Sequence, residues 1–265
     1  MTIARSYVVR DSATMLRRNL RHAMRYPSVT LVVVALPIIL LLLFVYVLGG
    51  TLGAGLGVVS DDHGAYVDYV TPGIVLMAVA GVAQATAIAV AMDMTEGIIA
   101  RFRTMGIARA SVLTGHVLSS TIQTMIGLAI VIGVAIVIGF RPNASLIEWI
   151  AAGGVLLMAT LAITWLSVAL GLVSKSVESA SNLPMPLILL PLLGSGFVPT
   201  ESMPAGLQWF AEYQPFTPVM ETLRGLLMGT AIGNRGLLAF VWCAVIGLIG
   251  HRWALARYER GPSRS

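Results

Sequence analysis

Apolar stretches recur along this chain at about Ser28–Gly50, Thr71–Met92, Ser111–Phe140, Ile147–Val173, Leu183–Val198 and Arg235–Ala256. A hydrocarbon core about 30 Å thick is crossed by roughly 20 apolar helical residues. Every stretch reaches that length except the fifth, which is short and interrupted by proline and glycine. Backbone polar groups inside lipid must be satisfied within the chain, which leaves helices or a closed barrel as spanning structures. Runs this long and unbroken predict an all-α integral membrane protein with six transmembrane helices.

Composition supports lipid as the main solvent. Of 265 residues, 57% are hydrophobic and 11% are charged, against roughly a quarter charged in soluble domains. A soluble fold of this composition would expose large apolar patches. The net charge of +5 does not point to nucleic acid, because the arginines stand in blocks between apolar runs and not in a stripe along one face.

Those blocks set the topology. Arg5, Arg10, Arg17, Arg18, Arg21 and Arg25 precede the first run, whereas Asp61, Asp62 and Asp68 follow it without a basic residue. Arg101, Arg103 and Arg109 follow the second run, Lys175 follows the fourth, and Arg252, Arg257, Arg260 and Arg264 close the chain. Cytoplasmic loops carry the excess of Lys and Arg, so both termini are expected in the cytoplasm. A basic stretch before an apolar run also describes a signal peptide, but Val29 to Leu48 is longer than a typical signal core of about 7 to 15 residues. It is better read as a retained first span.

The expected organisation is an N-terminal segment 1–27, a membrane domain 28–256 and a cytoplasmic tail 257–265. Residues 11–26 can wind as an interfacial helix with Arg17, Arg18, Arg21 and Arg25 among less charged residues. They fit equally a basic anchor that only fixes orientation. Between the fifth and sixth runs, Gly194 to Pro199 break the helix, and residues 199–229 are only moderately apolar. Trp209, Phe210, Tyr213 and Phe216, with Glu201, Glu212, Glu221 and Arg224, suit a membrane interface. One or two short re-entrant helices dipping in from outside are expected there, with an ordinary outer loop as the alternative. Glycines such as Gly127, Gly133, Gly153, Gly154 and Gly171 permit close helix contacts, although no pair can be assigned.

Several chemistries are excluded or disfavoured. A phosphate-cradling loop needs Gly-Lys-Ser/Thr, and the one lysine, Lys175, follows Ser174. ATP hydrolysis therefore has no site in this chain. His22, His63, His116 and His251 are scattered without metal-ligand spacing. Cys243 is the single cysteine and lies in the last apolar run, so it suits apolar packing. Ser195 lies between two glycines, but Leu193 and Phe197 stand where a nucleophile elbow requires glycine.

Asp93, Glu96, Arg101, Arg103 and His116 gather toward the inner face, and the span centres hold no Asp, Glu, Lys or Arg. Ion-coupled carriers place such groups at mid-membrane. A transport role would draw its energy from another protein and use a mainly apolar passage. Candidate lining groups are Gln84, Thr86, Gln123, Thr124, Thr160, Thr164, Trp165 and Phe197. Each could equally serve helix packing and hydrogen bonding.

The stretch Asp93-Met-Thr-Glu96-Gly97-Ile-Ile-Ala-Arg101-Phe102-Arg103-Thr-Met105-Gly106-Ile107-Ala-Arg109 resembles the loop after the second span of type-2 ATP-binding-cassette exporter permeases, particularly the daunorubicin-resistance type. Ser195-Gly196-Phe197-Val198-Pro199, then Met203, Pro204, Pro215, Thr217, Arg224 and Gly229, resemble that family's segment between spans five and six. The family often has proline where Gly106 stands and an acidic residue where Ala100 stands.

The resemblance implies a permease subunit of an exporter in a bacterial plasma (inner) membrane, moving a hydrophobic drug, antibiotic or lipid. Its partners would be two ATP-binding subunits, which bear the ATP and Mg, and a second permease copy or homologue, among membrane lipids. Residues 96–110 would form a coupling segment, with Glu96, Gly97, Arg101, Phe102, Arg103 and Met105 meeting the ATPase. Pro199, Met203, Pro204, Pro215 and Arg224 would belong to a re-entrant outer gate. A lipid or polysaccharide exporter is the alternative of the same energy class, and a membrane scaffold or embedded enzyme the alternative from another.

Overall fold

The computed structural model describes residues 16–17, 27–50, 63–95 and 109–260, which are helical with turns and no strand. Expectations for an interfacial helix before Pro27, apart from Leu16 and Arg17, and for the segment 96–108 fall outside them. So do Asp61 and Asp62 and the end of the tail, residues 261–265.

Helix α1 runs Pro27–Leu42 and continues as a π-helical segment, Leu43–Leu48. α2 is His63–Thr95, α3 Arg109–Ile138 and α4 Leu146–Val173. Ahead of the fifth apolar stretch the chain is already helical as α5, Val177–Asn182, and the stretch itself holds α6, Met185–Leu189, followed by a 3-10 turn at Leu190–Leu193. After a bend come a 3-10 turn at Thr200–Ser202, α7 at Ala205–Tyr213, α8 at Phe216–Met228 and α9 at Arg235–Arg260.

Among the described residues four helices, α2, α3, α4 and α9, are long and apolar enough to cross a membrane. Val34–Leu48 and Val177–Leu193 are shorter apolar helical stretches. α2 begins eight residues before the expected start of its run at Thr71, because Tyr66, Val67 and Val70 bury completely and carry the helix past Asp68. The fifth stretch stops at Leu193 and not at Val198. Pro184, Pro186 and Pro191 each lack an amide donor and divide it.

α2 is the central helix. Two thirds of its apolar window (67%) is buried inside the chain, against 22% for α9. It packs on α1, α3, α4, α5, α6 and α8, while α9 lies chiefly on α4. One apolar core joins Tyr66, Ile74, Leu76 and Val79 of α2 to Leu41, Leu128, Leu156, Phe197, Met220 and Leu223. A second, smaller core lies toward the other end of α2, where Val90 meets Leu113 and Val117 of α3, Val168 and Ala169 of α4, and Ala254 and Tyr258 of α9.

The ends of α4 and α8 are written in sequence. Ser145 caps α4, its hydroxyl accepting from the Glu148 amide while the Glu148 carboxylate accepts from the Ser145 amide, a reciprocal capping box. α8 stops at Gly229, whose φ of +70° places it in the left-handed region open to glycine.

Candidate functional site

Polar side chains gather at both ends of α2. At one end lies the bend that follows Leu193, which exists because Gly194 and Gly196 have no side chains. A β-carbon on Gly73 of α2 would stand 2.7 Å from the Gly196 carbonyl oxygen, and one on Gly194 would stand 2.5 Å from Gln214 Nε2. The backbone of the bend therefore reaches α2 and α8 directly.

Three side chains tie it there. Tyr69 Oη donates to the Ser195 carbonyl at 3.0 Å. Arg224 Nη2 of α8 donates to the same oxygen at 2.8 Å and to the Tyr69 carbonyl at 3.1 Å. Its guanidinium also lies over the Tyr69 ring, 3.9 Å from the centroid, in cation–π range. Gln214, between α7 and α8, donates from Nε2 to the Leu190 carbonyl and to Thr217 Oγ1, each at 3.1 Å. Burial lowers the pKa of Arg224, and the neighbouring Tyr69 and Glu221 raise it. Among the described residues, Ser195 Oγ is buried without a hydrogen-bond partner.

A cavity of about 590 Å³ opens beside this knot, lined by Tyr69, Ser195, Pro199, Glu201, Glu221, Arg224 and Arg235. Arg235 Nε pairs with Glu221 Oε2 at 2.8 Å, which joins the start of α9 to α8. The cavity lining thus combines two arginines, an acid paired to one of them and the exposed Glu201.

At the opposite end, His116 Nε2 of α3 lies 3.0 Å from Asp93 Oδ2 of α2, with both side chains buried. This is the geometry in which an imidazole N–H donates to a carboxylate. Nearer the middle, Thr86 Oγ1 donates to Ser120 Oγ at 3.0 Å, a second polar link between the same two helices.

Of the expected gate residues, Pro199 and Arg224 line the cavity. Met203 follows the 3-10 turn, and Pro204 and Pro215 directly precede α7 and α8. At about 1.5 Å per residue, the 13 residues of α8 extend about 20 Å, short of a membrane crossing. All six residues expected to meet an ATPase, Glu96, Gly97, Arg101, Phe102, Arg103 and Met105, lie outside the described residues.

Five of the eight residues expected to line a passage, Gln84, Gln123, Thr164, Trp165 and Phe197, take separate places. Gln84 Nε2 donates to the Ser181 carbonyl of α5 at 2.8 Å. Gln123 bonds back to Ser119 within α3, and Thr164 to the Thr160 carbonyl within α4. Trp165 meets His251 of α9 edge-on with ring centres 4.4 Å apart, and Phe197 lies 4.5 Å from Phe44 of α1. Among the described residues none of the five bonds to another.

Sequence reasoning did not single out Tyr69, nor Gln214 as a tie. Tyr69 stands two residues before the apolar run that begins at Thr71 and looks like an interfacial aromatic. The proline after Gln214 was the available signal, since it forces a chain bend whose open carbonyls need donors.

The family model of the ABC-2 type transporter matches residues 11–228. The chain is 28% identical over 249 residues to the daunorubicin resistance ABC transporter permease protein DrrB1 of Streptomyces coeruleorubidus, covering 93% of this chain and 84% of that protein. It is 29% identical over 230 residues to the probable doxorubicin resistance ABC transporter permease protein DrrC of Mycobacterium tuberculosis, covering 82% of this chain and 80% of that protein.

Proposed function

The chain belongs to the ABC-2 type transporter family, and from that premise we propose that it is the membrane-spanning permease subunit of an exporter that expels a hydrophobic drug, antibiotic or lipid. The observation that carries this reading is the family match across 11–228, which takes in the helices from α1 through α8 and the bend with its ties. Two permeases named for daunorubicin and doxorubicin resistance match over most of their length, which favours a drug as the cargo.

In this reading α1 with its π-helical extension, and α5 with the turns to Leu193, are the remaining two of six crossings. Both termini face the cytoplasm, following the arginine blocks. The Asp93 end is then the inner end, and the Arg224 end faces outward in a bacterial inner membrane. α7 and α8 form the re-entrant outer segment, with Pro199, Met203, Pro204, Pro215 and Arg224 in its gate.

Two separate ATP-binding subunits, which hold ATP and Mg, supply the energy. They press on residues 96–110 of this permease and of a second copy or homologous permease. Phe102 and Met105 supply an apolar knob, and Glu96, Arg101 and Arg103 its ionic partners. The cargo moves between the permeases past Gln84, Gln123, Thr164, Trp165 and Phe197. Binding of ATP shifts the pair between inward- and outward-open states.

The test is purification of the tagged chain from its native membrane in mild detergent, with ATP hydrolysis measured for wild type and for Arg101→Ala/Phe102→Ala. An ATPase that accompanies wild type and is lost from the variant supports the reading. A wild-type preparation without ATPase refutes it.

A further inference from the structure

The Asp93–His116 pair stands where its position matters more than its strength. Asp93 lies two residues before the end of α2, and His116 two turns into α3. The segment 96–108 that joins these helices is the one expected to receive the ATPase. The pair closes its base with a 3.0 Å bond between buried groups.

Apolar contact alone does not fix register, because it is non-directional. Around the pair, Val90 of α2 and Leu113 and Val117 of α3 supply contact of that kind. A short buried hydrogen bond adds direction, and breaking it by removing one partner strands the other. The Thr86–Ser120 bond repeats the link further along the same helix pair. α2 and α3 are thus stapled twice across one face.

α2 continues from this staple to the other knot. Tyr69 and Asp93 are 24 positions apart on one helix, about 36 Å along its axis. At the far end Gly73 touches Gly196, and Tyr69 holds Ser195 and Arg224. A displacement of α2 therefore acts directly on the bend.

We propose that Asp93 and His116 are positioning residues that lock α2 and α3 into one unit, so that a push on the segment between them travels along α2 to the Tyr69–Ser195–Arg224 knot. Without the staple the two helices splay, and the push is absorbed at the near end. The proposal rests on the exporter reading, and it assigns the relay within it.

The experiment uses the complete exporter in lipid nanodiscs, with Cys243→Ala to clear the native thiol. Spin labels go on Glu201→Cys and Leu146→Cys, two exposed positions at the Arg224 end. The label distance is recorded with and without ATP and vanadate, alongside ATP hydrolysis, cargo transport and thermal stability. Asp93→Asn and His116→Gln should each cut the nucleotide-induced distance change to less than half while hydrolysis continues, so that more ATP is spent per cargo molecule. The reciprocal exchange Asp93→His/His116→Asp should restore at least part of the change, which a loss of general stability would not allow. Full distance changes in both single variants would overturn the proposal, as would hydrolysis and transport that fall in equal proportion with no recovery in the exchange. No distance change in wild type would instead overturn the exporter reading on which the relay depends.

Discussion

Gly73 of α2 and Gly196 of the bend cross with no room for a side chain on either: a β-carbon on Gly196 would lie 3.0 Å from Gly73 Cα. Both contacts are with backbone, which cannot swing aside as a side-chain tip can. Gly73→Ala should cost about 2 kcal/mol through overpacking. A lowered thermal midpoint in detergent, with altered cysteine reactivity of a label placed in the bend, is the measurement.

Arg224 holds two carbonyl groups and a ring at once. Arg224→Met keeps much of the stem volume but leaves the Tyr69 and Ser195 carbonyls short of a donor, Ser195 retaining only Tyr69 Oη. Hydrogen bonds from charged donors are worth about 1.5–3 kcal/mol each. A loss of about 3 kcal/mol is expected, larger than that of Glu221→Gln, which breaks a partly exposed pair with Arg235 worth about 1 kcal/mol or less. Denaturation of the two variants side by side gives the comparison.

Gln214 and Gly194 share one fate. An alanine at 194 drives its β-carbon onto Gln214 Nε2 and breaks the bonds to Leu190 and Thr217. Gln214→Ala breaks the same bonds directly. The two substitutions should be strongly non-additive, the double variant losing at least about 1 kcal/mol less than the sum, as for residues in one network. Additive losses in a four-member stability cycle would show that the two positions act separately.

Glycines on the two packed helices α4 and α9 should differ sharply in tolerance. A β-carbon on Gly250 of α9 would stand 2.5 Å from the Leu166 amide nitrogen of α4, whereas Gly153 and Gly154 face open space. Gly250→Ala should separate α4 from α9 and cost about 2 kcal/mol or more, while Gly153→Ala should change stability by less than about 1 kcal/mol. Expression level and thermal midpoint across the two variants check the contrast.

The same glycines mark how far sequence could lead. Hydropathy located α2, α3, α4 and α9, because length and apolarity are local properties of a segment. Gly171 fits tightly against the Ala87 carbonyl and Gly127 against Val34, yet Gly133, Gly153 and Gly154 meet nothing. No local signal separates these cases, since each depends on which helix lies opposite. Asp93 and His116 were both placed toward the inner face from their position at run ends. Their pairing depends on the rotation of α2 against α3, which polar residues spaced 23 apart do not encode. The break at Gly194–Pro199 was legible from glycine and proline. What holds it was not, because Tyr69 and Ser195 are 126 positions apart. The fifth stretch, expected at Leu183–Val198, differs at both ends: helix already begins at Val177, and Leu192 and Leu193 precede a bend fixed from outside.

A carbonyl oxygen that serves two donors answers to both of them. The oxygen of Ser195 takes its hydrogen bonds from Tyr69 and Arg224, and Arg224 rests on the ring of Tyr69. Loosening any one contact weakens the other two, so the three hold the bend as one coupled unit. A substitution at any one of Tyr69, Ser195 and Arg224 is therefore felt at the other two, much as loosening one corner of a lashing slackens the rest.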